Sequence, residues 1–120
     1  PLLCKSHLLY HMDGLDFHVA TFRKDASYKD GRHPSYVTFS NPKEDALRRD
    51  FTINAIFWEP TDSKLYDYVG GLQDIHDGLL RAVGDPLERF KEDRLRIIRC
   101  ARFVSQLGFS IDEGTDRAML

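Results

Sequence analysis

The stretch Glu44 to Ala55, EDALRRDFTINA, decides the fold, because a charged segment there runs directly into an apolar one. Arg48, Arg49 and Asp50 close the charged part. Two arginines at this point could hold phosphates while Asp50 accepts a hydrogen bond from a sugar hydroxyl. Basic residues at the end of a helix also simply complement its dipole. Asn54 must be hydrogen-bonded if it is buried, and a turn-locking role and a ligand-binding role are equally open.

The residues around this stretch predict a helix followed by a hairpin. Asn41, Pro42 and Glu44 supply an N-cap, a first-turn proline and an acceptor three residues after the cap, which predicts a helix from Pro42 to about Arg49. The apolar run 51–58, FTINAIFW, predicts a strand. The run 65–69 follows after a turn-like tetrapeptide and predicts its hairpin partner.

Upstream, the run 15–23, LDFHVATFR, predicts a half-buried strand because its apolar residues alternate with Asp16 and His18, which then share one face. The segment 24–35 is rich in polar residues, glycine and proline, which predicts a mobile loop. The run 36–39 is a short strand candidate.

Downstream, the predicted elements change from mostly strands to mostly helices near Gly84 and Asp85. A helical turn is predicted at 72–77 and a strand at 79–83. Asp85 begins a second cap-proline-acceptor pattern, after which apolar residues recur at helical spacing until Gly108. The sequence therefore predicts an α+β fold with a first domain at 1–84 and a helical second domain at 85–120.

The densest charge signal runs from Arg89 to Arg102, a segment with a local net charge of +4. On one helix, Arg96, Arg99 and Arg102 would fan along the side opposite the apolar stripe, which suits an anionic ligand. Asp93 stands three residues before Arg96, so an acceptor and a donor fork could together read the edge of a base. The alternative is that Glu92 and Asp93 pair with Arg96 on a solvated face, and the pattern alone favours that alternative.

Composition excludes several classes of protein. The 120 residues carry a net charge of -2 and 42% hydrophobic residues, so the chain is globular rather than a basic nucleic-acid-binding tail. No apolar run is long enough to span a membrane, and the opening lacks a secretory signal, so we expect a cytoplasmic protein. Cys4 and Cys100 are expected to be buried thiols. His7 and His11 have helical metal-ligand spacing but no third ligand nearby in sequence.

Several ordered motifs resemble the class II tRNA nucleotidyltransferase and bacterial poly(A) polymerase family. They cover nearly the whole chain from about Leu15, and their order and spacing match the family: VATFR at 19–23, DGR at 30–32, EDALRRDFTINA at 44–55, YDYVGG at 66–71 with Asp74, RF at 89–90, ED at 92–93, RIIR at 96–99 and ARF at 101–103. A set of ordered motifs is more specific than any single one, so the resemblance outweighs the simpler interpretations above.

The resemblance implies a polymerase-beta-like head, with a mixed or antiparallel sheet, followed by the start of an all-helical neck. By this match Arg49 and Asp50 contact the triphosphate and ribose, with Asn54 beside them. Asp93 and Arg96 act as an amino-acid template for the base, and Arg99 and Arg102 support that helix and the phosphates. The family also implies that Gly70 and Gly71 form a flexible link between head and neck.

The sequence departs from the family in three ways. The family's catalytic element, a Gly-Gly stretch followed by an Asp-x-Asp strand that binds two magnesium ions, is absent from these residues. The chain alone is therefore expected to be inactive, with its Mg²⁺ ligands mostly outside it and no complete metal site within it. His18 replaces a glutamate, and Asp16 is a candidate auxiliary carboxylate. Arg94 replaces a proline at the helix start.

We therefore interpret the chain as a fragment of a metal-dependent, template-independent RNA nucleotidyltransferase. The expected partners are ATP or CTP and an RNA 3′ end, tRNA in particular, with no membrane. CCA addition and poly(A) addition share these motifs, so the sequence does not choose between them. The alternatives are a non-catalytic nucleotide- or RNA-binding relative without the metal site, and an ordinary α+β scaffold with a surface row of arginines.

Overall fold

A computed structural model of the chain describes residues 7–25 and 37–120. The fold mixes short strands and helices, which confirms the predicted α+β class. Cys4, the segment 30–32 and most of the predicted loop lie outside the described residues. In chain order the elements are β1 His7–Met12, β2 Leu15–Ala20, β3 Arg23–Asp25, β4 Val37–Phe39, α1 Pro42–Leu47, β5 Ile56–Glu59, β6 Lys64–Asp67, α2 Gly71–Asp77, β7 Leu79–Leu80, α3 Pro86–Glu92, α4 Leu95–Leu107, β8 Ser110–Ile111 and α5 Glu113–Arg117.

The strands form four two-stranded sheets. β1 with β2, β3 with β4, and β5 with β6 are antiparallel, whereas β7 and β8 are parallel. The predicted strand at 15–23 is confirmed only over 15–20, since β2 ends at Ala20 and Arg23 begins β3. Its predicted burial is wrong for two side chains: Leu15 is 62% and Val19 is 51% exposed. In the described part of the chain β2 pairs only with β1, and a two-stranded hairpin cannot bury both of its faces.

Helix α1 begins as predicted, because the Asn41 side chain accepts a hydrogen bond from the Glu44 N–H at 3.0 Å. It ends at Leu47, two residues earlier than expected. The predicted strand from residue 51 is partly wrong: a 3-10 turn, Thr52–Asn54, precedes β5. The turn forms because the Asn54 N–H donates to the Phe51 carbonyl and the Ala55 N–H to the Thr52 carbonyl, both at 3.0 Å.

Gly70 and Gly71 open α2 and do not form the predicted flexible link. The Asp67 carboxylate accepts hydrogen bonds from four successive N–H groups, those of residues 69 to 72, and these bonds hold the turn. Gly70 needs its positive φ of 81°. A Cβ on Gly71 would stand 2.2 Å from the Thr52 carbonyl oxygen, so only glycine allows α2 to pack this closely on the 3-10 turn.

The predicted helix after Asp85 is two helices. Asp85 caps α3 as expected, and α4 ends at Gly108 with a left-handed cap. Asp93 lies between the two helices in an extended backbone conformation, with φ -148° and ψ 103°. Its side chain accepts the Leu95 N–H at 3.0 Å, so it supports the start of α4 from outside the helix.

The main core joins the two predicted domains. Phe51 and Leu80 from the first pack with Cys100 from α4, and all three are fully buried. Cys100 is a free thiol, as expected, and burial raises its pKa. The strand pair β7–β8 also crosses the predicted boundary. Among the described residues no helix has the length and apolar character needed to cross a membrane.

Candidate functional site

The buried carboxylate of Asp45 organises the end of α1. It is 1% exposed, and its Oδ1 accepts the Arg23 N–H at 3.1 Å and the Arg48 Nη2 at 2.6 Å. Its Oδ2 accepts the Arg49 Nε at 3.0 Å. Burial by itself raises the pKa of Asp45, but the hydrogen bonds from Arg23, Arg48 and Arg49 outweigh burial and hold the pKa below its ordinary value. Asp45 therefore fixes both arginines of the RRD segment.

Arg49 is held on three sides. Besides Asp45, its Nη1 donates to the Asn54 carbonyl at 2.8 Å, and its guanidinium lies 4.8 Å from the centre of the Phe57 ring. Its side chain is nevertheless 36% exposed. A guanidinium that is positioned in advance and still open to solvent can bind a phosphate without first paying to order itself.

Asp50 connects the RRD segment to α4. Its Oδ1 accepts the Phe51 N–H at 2.9 Å and the Asn54 Nδ2 at 3.1 Å. Its Oδ2 lies 2.6 Å from the Nη2 and 2.7 Å from the Nε of Arg99, which comes from α4. Forty-nine residues separate this pair along the chain, so only the tertiary fold brings it together. We call Arg49, Asp50, Asn54 and Arg99 the corner.

Asn54 fills the turn-locking role that the sequence left open. Its amide holds the Asp50 carboxylate, and its carbonyl holds Arg49. The side chain sits in the 3-10 turn between the two charged residues that it orients. Its second proposed role, contact with a ligand, stays a prediction.

Arg96 and Asp93 do not have the predicted geometry of two residues one turn apart on one helix. Asp93 lies between α3 and α4, and the Arg96 guanidinium pairs with Glu92 instead, at 2.9 Å. Arg96 is only 7% exposed and also donates to the carbonyls of Arg89 at 2.9 Å and Arg48 at 3.3 Å. The contact with Arg48 places Arg96 beside the RRD segment and away from bulk water.

The predicted fan of three arginines is therefore only partly correct. Arg96 turns inward, while Arg99 and Arg102 are exposed. The guanidiniums of Arg99 and Arg102 lie 5.4 Å and 5.2 Å from the centre of the same Phe103 ring. The ring orients both side chains, and Arg99 alone of these two is recorded in an ion pair with Asp50.

Asp16 lies in the outer hairpin β1–β2, where its exposed carboxylate accepts a hydrogen bond from the His11 ring. His7 and His11 lie on a strand and not on the helix that metal-ligand spacing would need. Over residues 7–25 and 37–120 no group of three His, Cys, Asp or Glu side chains comes together that could hold a metal ion. The described residues therefore do not fit Mg²⁺ as a complete site.

Sequence reasoning missed the polar residues that support the corner from behind. Asp45 had a signal, because it stands three and four residues before two arginines in a helix. The motifs include Thr52 and Asp74, but no signal in the sequence predicted the following contacts, because the partners are 22 to 33 residues apart: Thr52 with Asp74, Arg81 with Asp112, and Ala82 with Thr115. A pocket of about 210 Å³, lined mostly by charged side chains, lies beside Arg48, Arg89 and Glu92.

Comparison with known proteins gives one family. A family model described as "Poly A polymerase head domain" matches residues 5–81. Among curated relatives, the CCA-adding enzyme of Staphylococcus aureus (strain MRSA252) is 52% identical over 105 residues, which are 87% of this chain and 26% of that protein. The CCA-adding enzyme of Bacillus licheniformis is 47% identical over 108 residues, which are 89% of this chain and 27% of that protein.

Solved structures agree with these relatives. The Bacillus stearothermophilus CCA-adding enzyme in complex with CTP matches with a TM-score of 0.82 and 36% identity, covering 94% of this chain and 26% of that one. A tRNA nucleotidyltransferase complexed with a primer tRNA and an incoming ATP analog matches with a TM-score of 0.74 and 34% identity, covering 94% of this chain and 30% of that one. The chain thus spans about a quarter of the length of these relatives.

Proposed function

Because the chain belongs to the poly(A) polymerase head-domain family, we propose that it is part of an RNA nucleotidyltransferase that adds CCA to tRNA 3′ ends. The observation that carries this proposal is the corner. There Arg49 and Asp50 of the proposed head lie beside Arg99 of the proposed neck, and the Arg99 Nη2 is 2.6 Å from the Asp50 Oδ2. Two guanidiniums beside one carboxylate match a nucleoside triphosphate, which presents anionic phosphates next to donor hydroxyls on its ribose. The head is proposed to span 1–84 and the neck 85–120.

We assign the phosphates to Arg49, Arg99 and Arg102. Arg49 is fixed by Asp45 and Asn54 and remains 36% exposed, and Arg99 is 44% exposed. A planar guanidinium binds phosphate oxygens through two parallel hydrogen bonds, so positioned arginines suit this task better than lysines. Arg102 shares the Phe103 ring with Arg99 and would reach an outer phosphate.

We assign the contact with the ribose to Asp50 and Asn54. The Asp50 carboxylate is 11% exposed in its side chain and is held from three directions, so its oxygens have fixed positions. A fixed acceptor discriminates a hydroxyl from a hydrogen if the ribose takes the place of Arg99 at Oδ2, because a sugar without that hydroxyl would then leave this oxygen without a donor.

We assign the contact with the base to Asp93, whose carboxylate is an acceptor, and to Arg96, whose guanidinium is a forked donor. The guanidinium of Arg96 is held by Glu92 and by the carbonyls of Arg89 and Arg48, which fix its plane. Base reading then requires either the edge of this fixed fork or a shift of Arg96 away from Glu92. The Asp93 carboxylate already accepts the Leu95 N–H, so its second oxygen is the proposed contact with the base.

Mg²⁺ is proposed for the longer protein, where it would activate the RNA 3′ hydroxyl and neutralise the leaving pyrophosphate. Its main ligands would lie outside this chain, since residues 7–25 and 37–120 bring no suitable cluster together. Asp16 stays a proposed auxiliary carboxylate. The residues of this chain then supply nucleotide binding and base selection, and the proposed place of tRNA completion is the cytoplasm.

Nucleotide titration tests the corner. We expect the chain to bind CTP and ATP, measured by calorimetry, and Arg99→Gln, Asp93→Ala and Arg96→Ala each to weaken binding about tenfold or more. Arg117→Gln is the matched control, because Arg117 is an exposed arginine that pairs with Glu113 within α5. Unchanged affinity in Arg99→Gln would remove the corner as the nucleotide site, and unchanged affinity in both Asp93→Ala and Arg96→Ala would remove their proposed role in reading the base.

Transfer of labelled CMP and AMP to a tRNA lacking its terminal CCA tests the reaction in the longer protein. Ordered incorporation of C, C and A is the expected result. A run of A alone would make the protein a poly(A) polymerase. Binding without transfer would favour the second candidate, a nucleotide-binding relative without the metal site.

A further inference from the structure

The last helix, α5, reaches back to the segment that precedes the neck. Thr115 is fully buried, and its hydroxyl accepts the Ala82 N–H at 3.0 Å while it donates to Asp112 at 3.2 Å. The other carboxylate oxygen of Asp112 accepts the Arg81 Nη1 at 2.7 Å. Two side chains of the neck therefore hold two successive residues of the head.

That head segment in turn holds the corner. The Val83 N–H donates to the Asp50 carbonyl at 3.0 Å, and the Thr52 N–H donates to the Arg81 carbonyl at 3.0 Å. Phe51 and Ala82 form an antiparallel bridge between these two bonds. Residues 81–83 thus fix the backbone on both sides of Phe51, which directly follows the residue whose carboxylate pairs with Arg99.

A buried carboxylate closes the connection. Asp74 is 5% exposed and accepts the Thr52 hydroxyl at 2.7 Å and the Arg81 Nε at 3.2 Å. Arg81 therefore bridges Asp74 of α2 and Asp112 of the neck. Asp74 and Thr52 are buried and Arg81 is 44% exposed, so this connection restricts the 50–52 backbone from a buried side and from a partly solvated one.

We propose that Thr115 and Asp112 are positioning residues for the nucleotide corner, acting through residues 81–83 on Asp50. This inference rests on the proposed function, because the corner must bind a nucleotide for the positioning to matter. Neither residue needs to touch the nucleotide. Their effect is to set where the Asp50 carboxylate stands relative to Arg99, and a displacement of 1 Å there would misplace the ribose contact.

Thr115→Val and Thr115→Ser form the matched pair that tests this proposal. Valine keeps the shape of threonine but removes the hydroxyl, so the buried Ala82 N–H loses its acceptor. Serine keeps the hydroxyl. We expect Thr115→Val to weaken CTP binding about three- to tenfold, to speed amide hydrogen exchange of Val83 more than tenfold, and to do both far more than Thr115→Ser.

Asp112→Asn serves as the second variant, since it keeps the side-chain volume and removes the charge that faces Arg81. Glu113→Gln is the control on the same helix, because it removes only the exposed pair with Arg117. Rescue by serine shows that the hydroxyl is responsible for the effect, and thermal unfolding measured in parallel distinguishes positioning from a general loss of stability.

The outcomes separate the two proposals. If the unsubstituted chain does not bind CTP, the proposed function fails, while Val83 exchange still decides whether Thr115 holds the Asp50 backbone. If CTP binds and both Thr115→Val and Asp112→Asn bind it with unchanged affinity, the positioning role is overturned. Failure of both variants to fold would also overturn it, because the role would then be structural.

Discussion

Asp45 and Asp50 are five residues apart, and each carboxylate meets arginines, yet they differ in burial and in the origin of their partners. Asp45 is 1% exposed, and its partners include two arginines from its own helix end. The Asp50 side chain is 11% exposed and pairs with Arg99, which is 44% exposed and comes from α4. A buried carboxylate enclosed by several donors stabilises the fold itself, and we call such groups the frame. A carboxylate that faces a half-exposed arginine from another element can exchange that partner for a ligand.

This comparison explains why two consecutive arginines have different roles. Arg48 donates to Asp45 and to the Arg23 carbonyl, and its side chain is 22% exposed. Arg49 shares Asp45 but lies over Phe57 and is 36% exposed. The difference in exposure makes Arg48 a structural residue and Arg49 the proposed phosphate contact.

Removing the enclosed carboxylate should have the largest effect. In Asp45→Ala the guanidiniums of Arg48 and Arg49 and the Arg23 N–H lose their acceptor, and breaking one side of a buried ionic cluster costs about 3–5 kcal/mol. We expect the free energy of unfolding, measured in urea, to fall by about this amount. A loss as small as that of an exposed pair would show that Asp45 is not part of the frame.

Lowering the pH should have the next largest effect on the stability that the frame provides. The pKa of Asp45 is lowered in the folded chain from its ordinary value of 3.8, so its contribution to stability is present above that pH and is lost as the pH falls through the lowered folded pKa. Asp67 behaves likewise, because its four backbone hydrogen bonds outweigh burial and lower its pKa. We expect Asp67→Asn to flatten the fall of unfolding free energy below pH 4, with Glu113→Gln as the unaffected control.

The Asp50–Arg99 pair should contribute less to stability. A double-mutant cycle with Asp50→Asn and Arg99→Gln should give a coupling energy of about 1 kcal/mol or less in unfolding, because the arginine is partly solvated. The same substitutions should reduce CTP binding far more than that coupling suggests. A coupling above about 3 kcal/mol would place Asp50 with Asp45 in the frame.

Arg102→Gln should have the smallest effect. Arg102 is exposed and its recorded contact is with the Phe103 ring at 5.2 Å, so we expect unfolding free energy to change by about 0.5 kcal/mol or less. Its proposed contact with an outer phosphate should appear as a weaker dependence of CTP affinity on salt. An unchanged salt dependence would remove Arg102 from the phosphate site.

The sequence predicted local structure where the signal was local. The caps at Asn41 and Asp85 and the stop at Gly108 were correct, because a cap depends on residues within one turn. The strand at 51–58 was partly wrong, because Asn54 locks a 3-10 turn through Asp50. The single neck helix was wrong, because Asp93 bonds forward to Leu95 and interrupts it.

The candidate site divides in the same way. The ordered motifs identified the family, and the family match supports it, because chemistry fixes residue types at fixed spacing. The spacing also named Arg49, Asp50 and Arg99 as candidates. It did not show that Arg99 meets Asp50, that Arg96 turns inward to Glu92, or that Thr115 holds Ala82.

The amino-acid sequence by itself determined the α+β class, the helix caps at Asn41, Asp85 and Gly108, and the family, since these follow from periodicity, capping and motif order within short windows. Only the tertiary structure decided which charges are enclosed and which stay open. The reason is physical: the strength and availability of an ionic group depend on its solvent exposure and on partners brought close by folding, and neither quantity is written in the spacing of residues along the chain.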